Sequence, residues 1–191
     1  MTIVELLYGI MFEPRPTLQY ISEKKPLAWG LTVYLIVLIF NAVFARGINY
    51  ISPKDAVSLL DEFLWIYLVT GALFSIVVLF LLTGLFSLLS DLFYGHSNSS
   101  GLLACLCFAS VPGVLGPPLQ YSALLTGASY IGTISSVIIS VWVLVLQIMA
   151  LKEALALRTG QAINLFIMPF ILAIIVIGVI IIVIVSTLFP R

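Results

Sequence analysis

Five stretches of this sequence, residues 27–45, 63–90, 102–125, 130–151 and 163–189, are apolar throughout and contain no Asp, Glu, Lys or Arg. A hydrocarbon core about 30 Å thick is crossed by about 20 apolar residues in a helix. No water reaches that depth to bond a free N–H or C=O, so the backbone there must satisfy itself as helix. Of the 191 residues, 62% are hydrophobic and 8% are charged, whereas a soluble domain carries about 25% charged residues. The sequence therefore predicts an all-α, polytopic membrane helix bundle, a single membrane domain over 1–191 with five transmembrane helices. The second and fifth runs exceed a perpendicular crossing and should tilt or emerge from the bilayer. The fifth, FILAIIVIGVIIIVIVSTLF at its end, is rich in β-branched residues, yet in lipid the helix has no competitor.

Little chain remains outside these runs. Residues 1–26 read as an interfacial N-terminal segment: Ile3, Leu6, Leu7 and Ile10 share one helical face, as in a short helix lying at the headgroups. The opening MTIVELLYGIMFEPRP carries Glu5 and no basic stretch, unlike a cleaved signal peptide. Lys24 and Lys25 anchor the start of the first run at the interface. Ser52-Pro53-Lys54-Asp55 has the order of a helix start: a capping serine, a proline in the first turn and an acid close behind. DLFYGHSNSSG reads as a polar turn. With the N-terminus inside, the cytoplasmic segments hold Arg15, Lys24, Lys25, Lys152 and Arg158, against Arg46, Lys54 and Arg191 outside. A re-entrant third run would equalise the two sides, so the positive-inside rule favours five crossings. The location implied is a prokaryotic cytoplasmic membrane with a cytoplasmic N-terminus.

The chemistry of a membrane enzyme is missing. Proton relays and ion-coupling sites place ionisable groups at depth, and here all sixteen acidic and basic side chains fall outside the five runs. His96 is alone in a loop, with no partner at metal-ligand spacing. Cys105 and Cys107 are two residues apart on one predicted helix and point to different sides, which suits neither a disulfide nor a metal. Asp61 and Glu62 favour a helix N-terminus, and Asp91 marks the end of the second run. No zinc-protease helix, nucleophile elbow or phosphate loop is present, and no basic run for nucleic acid. The sequence predicts no cofactor, no metal and no catalytic residue.

Polar content within the apolar runs is confined to a few places. Ala128, Gly132, Ser136 and Ser140 recur every fourth residue, a small-residue face on which a neighbouring helix can approach closely, within the monomer or between copies. Asn41, Gln147 and Asn164 read as structural residues near run ends. The third run holds FASVPGVLGPPLQY, where each proline removes an N–H and orphans the carbonyl of Phe108, Gly113 or Val114. Residues before prolines avoid the α region, so two helical pieces are expected, one up to about Ser110 and one from about Leu119. Ser110, Gln120, Tyr121, Ser122 or a trapped water would cover the freed carbonyls. The break, comprising Ser110, Pro112, Gly113, Gly116, Pro117, Pro118, Gln120 and Tyr121, is either a structural bend or a ligand or lipid pocket of the kind broken helices form.

The order of these features resembles the Ypt/Rab-interacting protein (Yip) family, specifically its compact prokaryotic Yip-one-type domain. The resemblance rests on PTLQYI ahead of the first run, LFYGHSNSSG after the second, ASVP at 109–112, and VWVLVLQIMALKEALALRTGQA leading into a basic loop. It implies five membrane helices and a cytoplasmic N-terminus. Eukaryotic members are associated with Rab GTPases and membrane shaping; this chain lacks their long N-terminal region and DLYGP-like signature, so Rab binding is not carried over. The leading functional expectation is a non-enzymatic, membrane-organising or scaffold protein whose partners are membrane lipids, other membrane proteins or itself. The alternative is a small permease or lipid-binding transporter built on the broken third helix. A polar cavity at mid-membrane beside residues 108–121 would mark the alternative; a dry core there would exclude it.

Overall fold

Nine consecutive residues, Gly101 to Ala109, are buried on every side. In a computed structural model describing residues 1–51 and 64–188, they form most of a short central helix around which the rest is arranged. The elements are α1 (Ile3–Phe12), α2 (Pro14–Lys24), α3 (Leu27–Ile51), α4 (Leu64–Tyr94), α5 (Ser99–Ala109), a 3-10 turn (Val111–Leu115), α6 (Gly116–Leu125), α7 (Ser129–Ala154) and α8 (Thr159–Leu188). The described residues contain no strand. Five helical segments are long and apolar enough to cross a membrane: Leu27–Ile48, Val69–Tyr94, Ser99–Leu125, Ser129–Ala154 and Thr159–Val179. The expected helix start at Ser52–Asp55, the acids Asp61 and Glu62, and the run ends at Phe63 and Phe189 lie outside the described residues.

The central helix is α5, apolar all round as a buried helix must be. It packs against α2, α3, α4 and α7. Small residues let the backbones meet: a Cβ on Gly30 of α3 would stand 3.3 Å from Cys107 Cβ and 3.6 Å from Ala104 Cα. The face of α4 turned inward carries Thr83, Phe86, Ser87 and Ser90, all buried at the spacing of one helical stripe. Hydrophobic burial drives little association in lipid, where small residues and close packing replace it. The outer faces of α3, α4, α7 and α8 expose Ile36, Leu81, Ile138 and Ile174 among many other large apolar side chains. Those are lipid-facing surfaces.

The N-terminal segment departs from the expected surface helix. α1 starts on a capping box, with Glu5 N–H donating to Thr2 Oγ1 (3.4 Å) and Thr2 N–H to Glu5 Oε2 (3.1 Å). The face bearing Ile3, Leu6, Leu7 and Ile10 does not lie on headgroups; it packs into the protein core, with Ile10 fully buried. α2 opens on Pro14 in its first turn and ends at Lys25, whose left-handed backbone (φ 50°) and the following Pro26 stop the helix. Leu18 and Ile21 of α2 are fully buried against the bundle. The pattern of residues 2–12 fixes an apolar face, but only tertiary contacts decide whether protein or lipid covers it.

Charges sit closer to the spans than their apolar limits imply. Arg46 lies within α3, Asp91 within the last turn of α4, and Lys152 and Glu153 within the last turn of α7, because each helix continues past its apolar run. Glu153, whose side chain is 14% exposed, accepts from Arg15 Nε at 3.2 Å and lies 3.8 Å from Lys152 Nζ. The Arg15 side chain is 69% exposed, so solvent screens that pair. Arg15→Ala is expected to change stability by less than about 1 kcal/mol in a detergent melting experiment.

One side chain ties three segments together. Asn98 caps α5, its Oδ1 accepting from Gly101 N–H at 3.2 Å, while its Nδ2 donates to Ala154 O at 3.2 Å and Ser22 O at 3.4 Å. The ends of α2 and α7 and the start of α5 thus meet at one end of the bundle.

Candidate functional site: a polar cleft beside the broken helix

The break in the third span is a tightened turn rather than a gap. Pro117 cannot donate to the Gly113 carbonyl, so the chain winds as a 3-10 turn in which Gly116 N–H reaches that carbonyl one residue earlier. Ser110 N–H takes the Phe108 carbonyl that Pro112 leaves free. The side chains expected to do this work bond elsewhere: Ser110 Oγ donates to Cys107 O (2.7 Å) and Ser122 Oγ to Leu119 O (3.0 Å). The second piece also begins earlier than expected, at Gly116 instead of Leu119. A residue before proline avoids the α region because its Cβ meets the proline ring. Gly116 has no Cβ and takes φ −61°, ψ −59°. Pro117 and Pro118 then fill the first turn of α6, where their missing N–H groups cost nothing.

The turn displaces α6 and leaves a cleft of about 520 Å³ between α3, α6 and α7. Its lining includes Asn41 from α3, Gly113, Gly116, Pro117 and Gln120 from the break, and Ser136, Ser140 and Gln147 from α7; Ile139, Val143 and Leu144 complete an apolar wall. The α7 residues fall at intervals of three and four, one stripe about 16 Å long at 1.5 Å per residue, centred on the middle of that helix. A Cβ on Gly116 would meet nothing within 4 Å, so this glycine leaves open space. Two lining atoms, Asn41 Oδ1 and Ser136 Oγ, are buried without a hydrogen-bond partner. Ser140 Oγ donates to Ser136 O at 2.8 Å.

The residues singled out in the sequence divide between this cleft and its surroundings. Gly113, Gly116, Pro117 and Gln120 line it. Pro112 is buried behind it, and Ser110 and Pro118 do not line it. Tyr121 turns to α3, edge-on to Phe44 with ring centroids 6.0 Å apart and 3.0 Å from where a Gly47 Cβ would stand. Of the small-residue face, Ser136 and Ser140 line the cleft. Gly132 lies against α6, where a Cβ would stand 2.8 Å from Ala123 Cβ and 3.1 Å from Gln120 Cα. Ala128 precedes α7 and donates its N–H to Ala123 O at 2.9 Å. The face therefore meets α6 of the same chain.

Sequence reasoning misses Asn41 and Gln147, which it places near span ends as structural residues. Their amides at depth are the available signal, since an amide in hydrocarbon needs a partner. Thr83, Ser87 and Ser90 of α4 are missed as well, although their spacing matches the small-residue pattern used for α7.

None of the described lining residues is ionisable, and no three His, Cys, Asp or Glu side chains cluster among the described residues. Both cysteines are free and buried; Cys105 Sγ donates to Leu18 O at 3.3 Å. The cleft offers hydrogen bonds from amides and hydroxyls beside an apolar wall. The family model for the Yip1 domain matches residues 8–181. This chain belongs to the Yip1 domain family. The match takes in every helix of this Yip1-domain protein, from most of α1 to most of α8, and both sides of the cleft. No curated protein and no solved structure matches it.

Proposed function

We propose that this Yip-family membrane protein is non-enzymatic and uses the cleft beside the broken third span to bind a polar group at mid-membrane, the lipid-binding or small-permease reading. The observation that carries it is the pair of unpaired atoms, Asn41 Oδ1 and Ser136 Oγ, in the lining of a cleft of that size. Leaving a buried acceptor unsatisfied costs about 1–3 kcal/mol; an incoming donor recovers it. Asn41→Leu, close in volume, is expected to stabilise the ligand-free protein by about 1 kcal/mol in a melting experiment and to abolish stabilisation by an added total lipid extract. A destabilised variant that still gains stability from the extract would refute the reading.

A membrane-organising role is the second reading, and the outer face of α1 favours it. Val4, Tyr8 and Phe12 are exposed on that face, with the Tyr8 and Phe12 rings 4.6 Å apart. Such a face inserts among acyl chains at the headgroup boundary. We place the whole of 1–191 in a single membrane domain, in a prokaryotic cytoplasmic membrane with the N-terminus cytoplasmic. The Asn98 tie supports that orientation by keeping together three segments assigned to the cytoplasmic side. Ser97→Cys, introduced into a chain that also carries Cys105→Ser and Cys107→Ser, should react with an impermeant maleimide only from the cytoplasmic face. Labelling from the opposite face would reverse the assignment.

A further inference from the structure

The chemistry of the cleft narrows what it can hold, an inference that rests on reading it as a binding site. We infer that its occupant is an uncharged, hydroxyl-bearing lipid of the diacylglycerol class, with the hydroxyl among the polar side chains and the acyl chains along α7. Three observations carry this. No described lining residue bears a charge, and a phosphate or ammonium group drawn to mid-membrane without a counter-charge is strongly disfavoured. Asn41 Oδ1 can only accept, so the occupant must bring an O–H or N–H donor, which a fully esterified lipid lacks. The wall of Ile139, Val143 and Leu144 runs along α7 and continues onto the exposed Val141 and Val145, which are open to the acyl-chain region. A free polyol would satisfy the amides and leave that wall uncovered.

The test uses the full chain in phosphatidylcholine nanodiscs. These are doped at equal mole fraction with diacylglycerol, phosphatidylcholine or phosphatidylglycerol, each carrying a photoactivatable diazirine in one acyl chain. Labelled peptides are then located by mass spectrometry. The diacylglycerol probe is expected to label residues 139–147 about tenfold more than either phospholipid, the discrimination of roughly one good hydrogen bond. Asn41→Leu and Ser136→Leu should each bring it down to the phospholipid level, with melting run alongside to show that the variants fold. Equal labelling by the three probes would overturn the lipid class. If that equal labelling still fell in the variants, the cleft would remain a binding site for another occupant; if it did not move, both readings would fail. Loss of the diacylglycerol label on adding free glycerol would assign the site to a soluble polyol and overturn the proposal.

Discussion

Gly132→Leu is expected to destabilise the protein by about 3 kcal/mol or more, the upper range for overpacking a close contact. The reason is geometric. Even a single Cβ at this position would stand 2.8 Å from Ala123 Cβ and 3.1 Å from the Gln120 backbone. Neither neighbour has a flexible end that could swing aside, so α6 and α7 would have to separate. That separation would reshape the cleft as well, because Gln120 and Ser136 lie on the same two helices. Gly132→Ala should be damaging in the same direction and smaller, about 1–2 kcal/mol. Gly71→Ala and Gly84→Ala serve as controls: a Cβ at either meets nothing within 4 Å, so both should be neutral or slightly stabilising. Melting of the four variants in one detergent checks this. A Gly132→Leu protein that melts with the controls would mean that α6 and α7 are not in close contact at this point.

Asn98→Asp should destabilise at least as much as Asn98→Ala, although aspartate is as good a helix cap as asparagine. The cap accounts for one of three hydrogen bonds: the Gly101 N–H on Oδ1. The amide Nδ2 makes the others, to the carbonyls of Ser22 and Ala154. Alanine removes all three, an expected loss of about 2–4 kcal/mol from a cap and two part-buried bonds. Aspartate keeps the cap but turns a carboxylate oxygen toward two carbonyl oxygens, which leaves both unpaired and adds repulsion. Melting again provides the measurement, supplemented by hydrogen exchange at the amides of α2. If Asn98→Asp proved clearly milder than Asn98→Ala, Asn98 would be a helix cap and not a three-way tie.

These two residues differ in how far the sequence discloses them. Gly132 belongs to a repeat at every fourth residue, and such a repeat announces close helix packing before any partner is known. Asn98 stands ahead of an apolar run, the usual place of a cap, but nothing near it in sequence points to Ser22 or Ala154. Those partners are 76 and 56 residues away. Asn41 and Gln147 are intermediate cases: their polarity at depth is visible, whereas their convergence with Gln120 and Ser136 on one cleft depends on how three helices cross.

Lipid solvation decides the broad outline locally. An uncharged run of this length has to be a helix, so the five spans, their order and the position of the proline break follow from the residues themselves. The break's internal solution does not. Gly116 entering the α region just before Pro117, and donating to Gly113, depends on a 3-10 turn that proline placement permits but does not impose. The placement of α1 and α2 is likewise tertiary. An apolar stripe such as Ile3, Leu6, Leu7 and Ile10 satisfies lipid and protein equally well, and the bundle around α5 supplies the surface that it covers. Composition determined which solvent surrounds this chain; the packing of α3, α6 and α7 decided where its few uncharged polar groups meet.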